Sequence, residues 1–296
     1  MKFVKMNGCG NDYVYFDLTS TENATQEEKI VAAVPRISDR HFGVGGDGVV
    51  LIMRSEEADV RMRMFNLDGS EGKMCGNAIR CVGKYAYDTG LVQSRDITVQ
   101  TASGIKKLSL AVTDGVCTGA TVDMGRAVFR AAEIPLDESR LPEDFVPVYC
   151  GVCGKVWKDV PVSSGGKEWK GMAVSMGNPH FVIFTEENID ALDLEKYGRP
   201  LETHPLFPDK VNVEFVNVTG DGVLKMRVWE RGSGETMACG TGSCATVAAA
   251  VAGGICKAGE QTDVVLRGGT LKITYCADGV KMTGGAEINF TGDVTL

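Results

Sequence analysis

The chain has 296 residues, 44% hydrophobic and 24% charged, which is enough for two ordinary globular domains and too apolar for a disordered chain. A formal net charge of −8, from 39 acidic and 31 basic side chains without a long like-charge run, excludes the footprint of a nucleic-acid binder or of a protein held to an anionic membrane. A small-molecule partner is the better expectation, and a cytoplasmic protein with reduced thiols is expected because MKFVKMNGCGND lacks the apolar stretch of a signal peptide and no segment is long and apolar enough to cross a bilayer.

Strand signals dominate the first third, at residues 3–6, 13–17, 49–54, 59–65, 97–101 and 105–112, most of them bounded by Gly, Asn or Asp. Thr25-Gln-Glu-Glu28 reads as a capping box with Thr25 at the N-cap, and Pro35 marks the expected end of that helix. A second helix is predicted over 76–88, where Ala78, Cys81, Val82 and Tyr85 make an apolar stripe and Gly90 stands just past the end. Pro135, Pro142 and the charged residues between them belong to a link or an excursion of the second domain, and the crossover is placed near 119–125. Strands follow at 172–176 and 180–184, in a hairpin over 211–229 around Thr219-Gly220-Asp221-Gly222, and at 264–275. The small residues after Cys239, GTGSCATVAAAVAG, favour helix and allow close backbone approach, so this helix is expected to thread the middle of its domain. A last strand at 286–291 is expected to return to the first domain, giving domains of 1–120 with 285–296, and 121–284.

Beneath this order lies an internal repeat. Residues 61–77 (RMRMFNLDGSEGKMCGN) and 225–241 (KMRVWERGSGETMACGT) match without gaps at Met62/Met226, Arg63/Arg227, Glu71/Glu235, Cys75/Cys239 and Gly76/Gly240, an offset of 239 − 75 = 164. Each copy reads as a strand, a Gly-rich loop with an acidic residue, and Cys-Gly opening a helix. Gly10-Asn11 before YVYF parallels Gly177-Asn178 before HFVI at 178 − 11 = 167, a small indel away. A duplicated fold would bring two like thiols to related positions facing one cleft, an arrangement suited to chemistry on both faces of one carbon.

A thiol at the first turn of a helix is favoured as thiolate by the N–H groups and dipole that point at it. A free cysteine has a pKa of about 8.5, and a helix terminus supplies ~0.3–1 kcal/mol, up to ~2, so each thiol is expected to lie mixed between thiol and thiolate near neutral pH. Two-base chemistry needs one of each, and repulsion between two facing thiolates splits their titration. A lone Cys-Gly serves only a tight turn; the duplication raises the pair above that reading.

The segments FNLDGSEGKMCGNAIRC, SMGNPHF, VNVEFV and ERGSGETMACGTG, with GNDYVYFD and RHFGVGGDG, resemble the signature segments of the diaminopimelate epimerase family over most of the chain. The resemblance implies an α+β fold of two pseudo-symmetric β-rich domains, each a β-barrel-like sheet wrapped around a central helix, with the active site in the cleft between them. It implies a pyridoxal-phosphate-independent isomerase that interconverts LL- and meso-2,6-diaminopimelate in lysine and peptidoglycan precursor biosynthesis, with no cofactor, no metal and a homodimeric assembly. Carried over by position, Cys75 and Cys239 are the acid/base pair, and Gly76-Asn77 with Gly240-Thr241 hold the carboxylate of the reacting centre through backbone N–H groups. Asn11, Asn66, Asn178, Asn212, Glu230 and Arg231 recognise the distal amino-acid end, Arg231 forking onto its carboxylate and Glu230 accepting from its ammonium. His180 supports the loop and tunes a neighbouring thiol. Some relatives carry Gln after the Asp of the RHFGxGxD segment; here Gly48 follows Asp47, so that side-chain contact is absent.

Proline racemases and hydroxyproline epimerases share the two-cysteine design but have no need of Glu230-Arg231 and the spaced asparagines. A redox or zinc-binding module is the reading from another class, and a pyridoxal-phosphate racemase lacks a lysine in a recognisable cofactor context. Cys150 and Cys153 form a single C-x-x-C, read as incidental because the three histidines are too scattered to complete a four-ligand zinc site. His41 and His204 receive no role, and Cys81, Cys117, Cys244 and Cys276 are read as small buried hydrophobes.

Overall fold

In the computed structural model, which describes residues 1–296, the alternating runs of the first third form strands. They are β1 (Lys2–Gly8), β2 (Asn11–Asp17), β3 (Gly48–Met53), β4 (Val60–Asn66), β5 (Glu71–Gly72), β6 (Asp96–Thr101), β7 (Gly104–Thr113) and β8 (Val116–Asp123), with helices α1 (Thr21–Ala24), α2 (Glu27–Ser38) and α3 (Gly76–Asp88) between them. The second set comprises β9 (Val148–Cys150), β10 (Gly154–Val156), β11 (Val160–Ser164), β12 (Lys167–Ser175), β13 (Pro179–Phe184), α4 (Leu194–Glu202), β14 (Asn212–Gly220), β15 (Val223–Glu230), β16 (Gly234–Glu235), α5 (Gly240–Ala252), β17 (Gln261–Leu266), β18 (Gly269–Cys276) and β19 (Gly279–Gly285). The last strand, β20 (Glu287–Asp293), pairs antiparallel with β1. The chain divides into two units, Met1–Asp123 with Thr283–Leu296, and Met124–Met282, against the expected divisions at 120/121 and 284/285. No helix is long and apolar enough to cross a membrane.

Both units follow one pairing scheme. In the first, β2 runs parallel to β3, β3 antiparallel to β4, β4 parallel to β6 and β6 antiparallel to β7. In the second, β13 and β14, β14 and β15, β15 and β17, and β17 and β18 repeat that order of directions. Register repeats as well: Leu51 lies opposite Arg63 and Phe65 opposite Glu71, as Phe215 lies opposite Arg227 and Trp229 opposite Glu235, each pair displaced by 215 − 51 = 164. Matched register puts matched side chains on the same sheet face, because a slip of one residue would turn every side chain over.

The strands of each unit pack around a helix of that unit. The strands β1, β2, β4, β6, β7 and β8 contact α3, and β12, β13, β14 and β18 contact α5. From Gly240 to Ala252 only Thr241 and the final Ala252 escape full burial, which is why this helix is built of small residues rather than an amphipathic stripe.

The capping box at Thr25 is not formed. Ser20 caps α1, accepting from Asn23 N at 3.2 Å, and the Thr25 hydroxyl donates to Glu22 O at 2.7 Å, so Thr25 closes α1 instead of opening α2. The next helix begins at Glu27 without a side-chain cap and runs through Pro35 to Ser38. An interior proline costs ~3 kcal/mol, but Ile30, Val34 and Ile37 are buried against Val14, Phe16 and Leu51, and full burial of such side chains contributes ~1.5–3 kcal/mol each. The stretch 264–275 is a hairpin of β17 and β18, and Cys276 at its end is half-buried rather than buried. The 194–202 helix has no counterpart in the sequence reading. Asp193 caps it, and its buried Glu202 accepts from Trp229 Nε1 at 2.8 Å and from Gly232 N at 3.0 Å.

Candidate active site

The two repeat copies fold into the same local device. In the first, β4 turns through Asp68-Gly69 into β5, and Arg63 forks onto Glu71 with Nε–Oε1 2.7 Å and Nη2–Oε2 2.8 Å. In the second, Arg227 forks onto Glu235 at 2.8 and 3.0 Å. Each fork pins the return strand at a glutamate four residues before the cysteine, which explains why arginine and glutamate recur where the loop between them has diverged.

Both thiols then act as helix N-caps. Cys75 has φ −125° and ψ 121° and its sulfur accepts from Ala78 N at 3.5 Å; Cys239 has φ −119° and ψ 112° and its sulfur accepts from Gly242 N at 3.3 Å. The helical ladder starts at the same point in each, with Ile79 N to Cys75 O at 3.0 Å and Ser243 N to Cys239 O at 2.9 Å. The N–H groups of Gly76 and Asn77, and of Gly240 and Thr241, precede that first ladder bond, so these two helix starts are electropositive ends suited to a carboxylate.

The surroundings of the sulfurs differ. Cys75 is half-buried and its Sγ donates to Asn11 Oδ1 at 3.2 Å, while the Asn11 amide Nδ2 donates to Asp47 Oδ2 at 2.6 Å. Asp47 also accepts from Arg40 at 2.9 Å, so a carboxylate braced by a guanidinium fixes which end of Asn11 meets the thiol. One turn into α3 the fully buried Arg80 donates from Nη1 to Gly76 O and to Asn77 Oδ1, both at 3.0 Å, and burial lowers its pKa from the ordinary guanidinium value.

Cys239 is 5% exposed and faces acids instead. Burial, then Glu230 and Glu214, push its thiol well above the usual cysteine value, against hydrogen bonds from Thr241 and the Gly242 N–H. The expectation of a thiol mixed near neutrality is therefore corrected at Cys239, because enclosure and two carboxylates outweigh a helix terminus. Glu230 keeps part of its surface exposed but turns its carboxylate inward, accepting from Thr236 Oγ1 at 2.5 Å, and burial raises its own pKa.

The remaining expected residues divide by what already occupies them. Asn178, preceded like Asn11 by a glycine in the left-handed region (Gly177 φ 90°, Gly10 φ 76°), donates to Thr241 Oγ1 at 3.3 Å and accepts from His180 Nε2 at 3.1 Å. Asn212 spends its amide on the protein, donating to Pro179 O at 2.8 Å and accepting from Arg231 N at 2.9 Å. Asn66 is exposed and donates to Ser70 Oγ at 3.0 Å within its turn. Arg231 is exposed and donates to Asp209 O at 3.0 Å. The sequence reading missed Arg80, Asp47 and Glu214. For Glu214 a signal existed, since a charged residue at the centre of the apolar strand VNVEFV needs a buried partner. No group of three or more His, Cys, Asp or Glu side chains is placed to hold a metal ion.

Residues 3–130 and 172–289 match the family model described as diaminopimelate epimerase. The chain belongs to the diaminopimelate epimerase family. A diaminopimelate epimerase of Acetivibrio thermocellus is 46% identical over 300 residues, covering 100% of this chain and 99% of that one. One from Agathobacter rectalis is 44% identical with 100% of both chains covered, and one from Methanococcus maripaludis is 43% identical, again with 100% of both covered. Among solved structures, a probable proline racemase from Agrobacterium radiobacter (TM-score 0.64, 15% identity, 100% of this chain and 93% of that one) and a hydroxyproline epimerase from Agrobacterium vitis (TM-score 0.62, 16% identity, 99% and 91%) share the fold. A PhzF-family phenazine biosynthesis protein from Bacillus anthracis has the fold too, at TM-score 0.65 and 15% identity, covering 100% of this chain and 99% of that one. The diaminopimelate epimerase fold thus recurs in proteins of other names, and the capped thiols have to be read from this chain's own residues.

Proposed function

We propose that Cys75 and Cys239 are the acid/base pair of a diaminopimelate epimerase, each addressing one face of the substrate α-carbon. Membership of the family supplies the activity: pyridoxal-phosphate-independent interconversion of LL- and meso-2,6-diaminopimelate, an isomerase step of lysine and peptidoglycan precursor biosynthesis. The single observation that supports the residues is the repeated sulfur cap, the same backbone angles and the same first-turn contact at both cysteines. One sulfur as thiolate removes the α-proton, the other as thiol delivers a proton to the opposite face, and the reverse reaction exchanges their roles. The carbanion loads charge onto the adjacent carboxylate, which the first-turn N–H groups of Gly76-Asn77 and Gly240-Thr241 stabilise where it develops.

At the distal end, Arg231 and Glu230 are the groups that can take a carboxylate and an ammonium, with Asn11, Asn66 and Asn178 as further polar contacts; Asn212 acts by bracing the Arg231 backbone. Requiring both distal groups disfavours simple amino acids, since a buried polar group left unpaired costs ~1–3 kcal/mol. The acidic composition agrees with a small-molecule rather than nucleic-acid partner, and a cytoplasmic setting and a homodimer are carried over from the family resemblance.

The test incubates reduced protein with LL-diaminopimelate in deuterated water and follows α-deuterium and isomer composition. Exchange with epimerisation is expected, and its loss in Cys75→Ala and in Cys239→Ala. Full turnover in either variant would remove the two-base assignment.

A further inference from the structure

We propose that Glu214 is a positioning residue for Cys239: its carboxylate holds the His180 ring so that His180, Asn178 and Thr241 form one oriented hydrogen-bond chain ending on the Cys239 sulfur. This rests on the reading of Cys239 as one of the two bases.

The geometry is continuous. Glu214 Oε1 meets His180 Nδ1 at 2.6 Å, His180 Nε2 meets Asn178 Oδ1 at 3.1 Å, Asn178 Nδ2 meets Thr241 Oγ1 at 3.3 Å, and Thr241 Oγ1 lies 3.5 Å from Cys239 Sγ. Both ends of the first contact are fully buried, with side-chain exposures of 0%. The two residues lie on the parallel neighbours β13 and β14, where His180 is registered with Asn212 and Val182 with Glu214. Glu214 also lies under the start of the Cys239 helix: a Cβ added at Gly242, whose N–H caps the sulfur, would stand 2.7 Å from Glu214 Oε1.

Counting protons gives the chain a direction. Asn178 donates its Nδ2 hydrogen to Thr241, so its Oδ1 faces His180 and requires a hydrogen on Nε2. The Glu214 contact requires a second hydrogen, on Nδ1 or on the carboxyl. A histidine and a carboxylate together thus carry two protons, either as imidazolium and carboxylate or as neutral ring and acid, and both forms are net neutral. Thr241, accepting from Asn178, keeps its own hydroxyl hydrogen for the sulfur. The chain therefore directs the Thr241 hydroxyl hydrogen onto Cys239 as the sulfur becomes thiolate, opposing the enclosure and the charges of Glu230 and Glu214 around it.

A filler role does not account for Glu214. Its Oε2 is buried and makes no hydrogen bond, an arrangement that leucine of similar volume would avoid. What leucine could not do is fix the protons on His180, whereas glutamine could, by donating its amide hydrogen to Nδ1 and leaving Nε2–H directed at Asn178.

The experiment compares Glu214→Leu, Glu214→Gln and Thr241→Val by steady-state epimerisation, and reads His180 directly by nitrogen-15 NMR of histidine-labelled enzyme, assigned with His41→Gln and His204→Gln. In Glu214→Leu, kcat is expected to fall roughly 10–100-fold, the range for removing a group that orients an active side chain, with KM within about 2-fold. Glu214→Gln should recover to within about 3-fold of wild type. The ring nitrogen Nε2 should carry its proton in wild type and in Glu214→Gln and lose it, wholly or in part, in Glu214→Leu. Adding Thr241→Val to Glu214→Leu should cost far less than the product of the single effects, because both break one chain.

Unchanged kcat in Glu214→Leu, no recovery in Glu214→Gln, or strictly multiplicative losses would overturn the proposal. Because the ring signal does not depend on turnover, a Cys239→Ala enzyme that still epimerises would sink the base assignment while leaving the hydrogen-bond chain itself measurable.

Discussion

Arg227 grips Glu235 from a strand where its side chain is 6% exposed, whereas Arg63 makes the same fork on Glu71 with its side chain 23% exposed. The second fork is also the more fully used. Arg227 Nη1 donates to Leu192 O at 2.8 Å and to Ile189 O, so every nitrogen of the guanidinium is bound, and Arg267 reaches Glu235 at 3.0 Å. Arg63 spends its remaining nitrogen on Glu27 and rests over the Phe65 ring at 5.1 Å. Duplication has kept the device and changed its depth.

Replacing each arginine by lysine should therefore give unequal losses. A lysine cannot fork, and at position 227 it leaves two carbonyls and a carboxylate oxygen short of donors. Arg227→Lys is expected to lower unfolding free energy by about 2–3 kcal/mol, since each unsatisfied buried group costs ~1–3 kcal/mol, and Arg63→Lys by about 1 kcal/mol or less. Urea unfolding of the two variants checks the order, and equal losses would contradict it.

Asp47 reaches Cys75 through Asn11. Its carboxylate fixes the Asn11 amide so that Oδ1 accepts from the thiol, and Asp47→Ala frees that amide to rotate. One hydrogen bond of this kind is worth ~1–1.5 kcal/mol, so a fall in kcat of about 10-fold is expected, with little change in the unfolding midpoint. Steady-state kinetics beside thermal unfolding separates the two effects.

Periodicity made most of the frame legible because the apolar runs alternate cleanly and the helix over 76–88 has both an apolar stripe and a terminal glycine. The repeat made the thiols legible, since Cys75 and Cys239 stand at one offset with an arginine, a methionine and a glutamate. What stayed hidden depends on tertiary partners. Glu214 reads as one residue of a buried strand until His180 is found beside it, and Thr25 satisfies a capping motif that Ser20 satisfies one turn earlier. The difference between the thiols was equally hidden, because neither the inward turn of the Glu230 carboxylate nor the burial of Glu214 on the neighbouring strand β14 can be read from the order of residues.

That difference predicts unequal chemical reactivity. With its pKa raised by burial and then by Glu230 and Glu214, Cys239 is a thiol at neutral pH, so iodoacetamide should modify it slowly and faster as pH rises. Removing a nearby negative charge lowers the cost of forming the thiolate, so Glu230→Gln should increase the Cys239 alkylation rate at pH 7. Peptide-resolved mass spectrometry measures this at the single residue, and a slower rate in Glu230→Gln would reverse the sign of the argument.

Stability against alkali follows from the buried thiols. Burial holds Cys81 up at about 11, ahead of lesser opposing effects from Tyr15 and Arg80. An unfolded cysteine titrates near ~8.5, so above that pH the unfolded chain gives up a proton that the folded chain retains, and stability falls as pH rises. The contribution is complete below ~8.5 and is lost progressively up to about 11, where the folded thiol itself ionises. Each such group adds ~1.4 kcal/mol per pH unit to the slope, and Cys239, raised in the same direction, steepens it further. Urea unfolding between pH 8 and 11 should show this decline, and Cys81→Ala, though less stable at neutral pH through the cavity it leaves, should decline less steeply. An equally steep decline in that variant would show that the alkaline loss has another source.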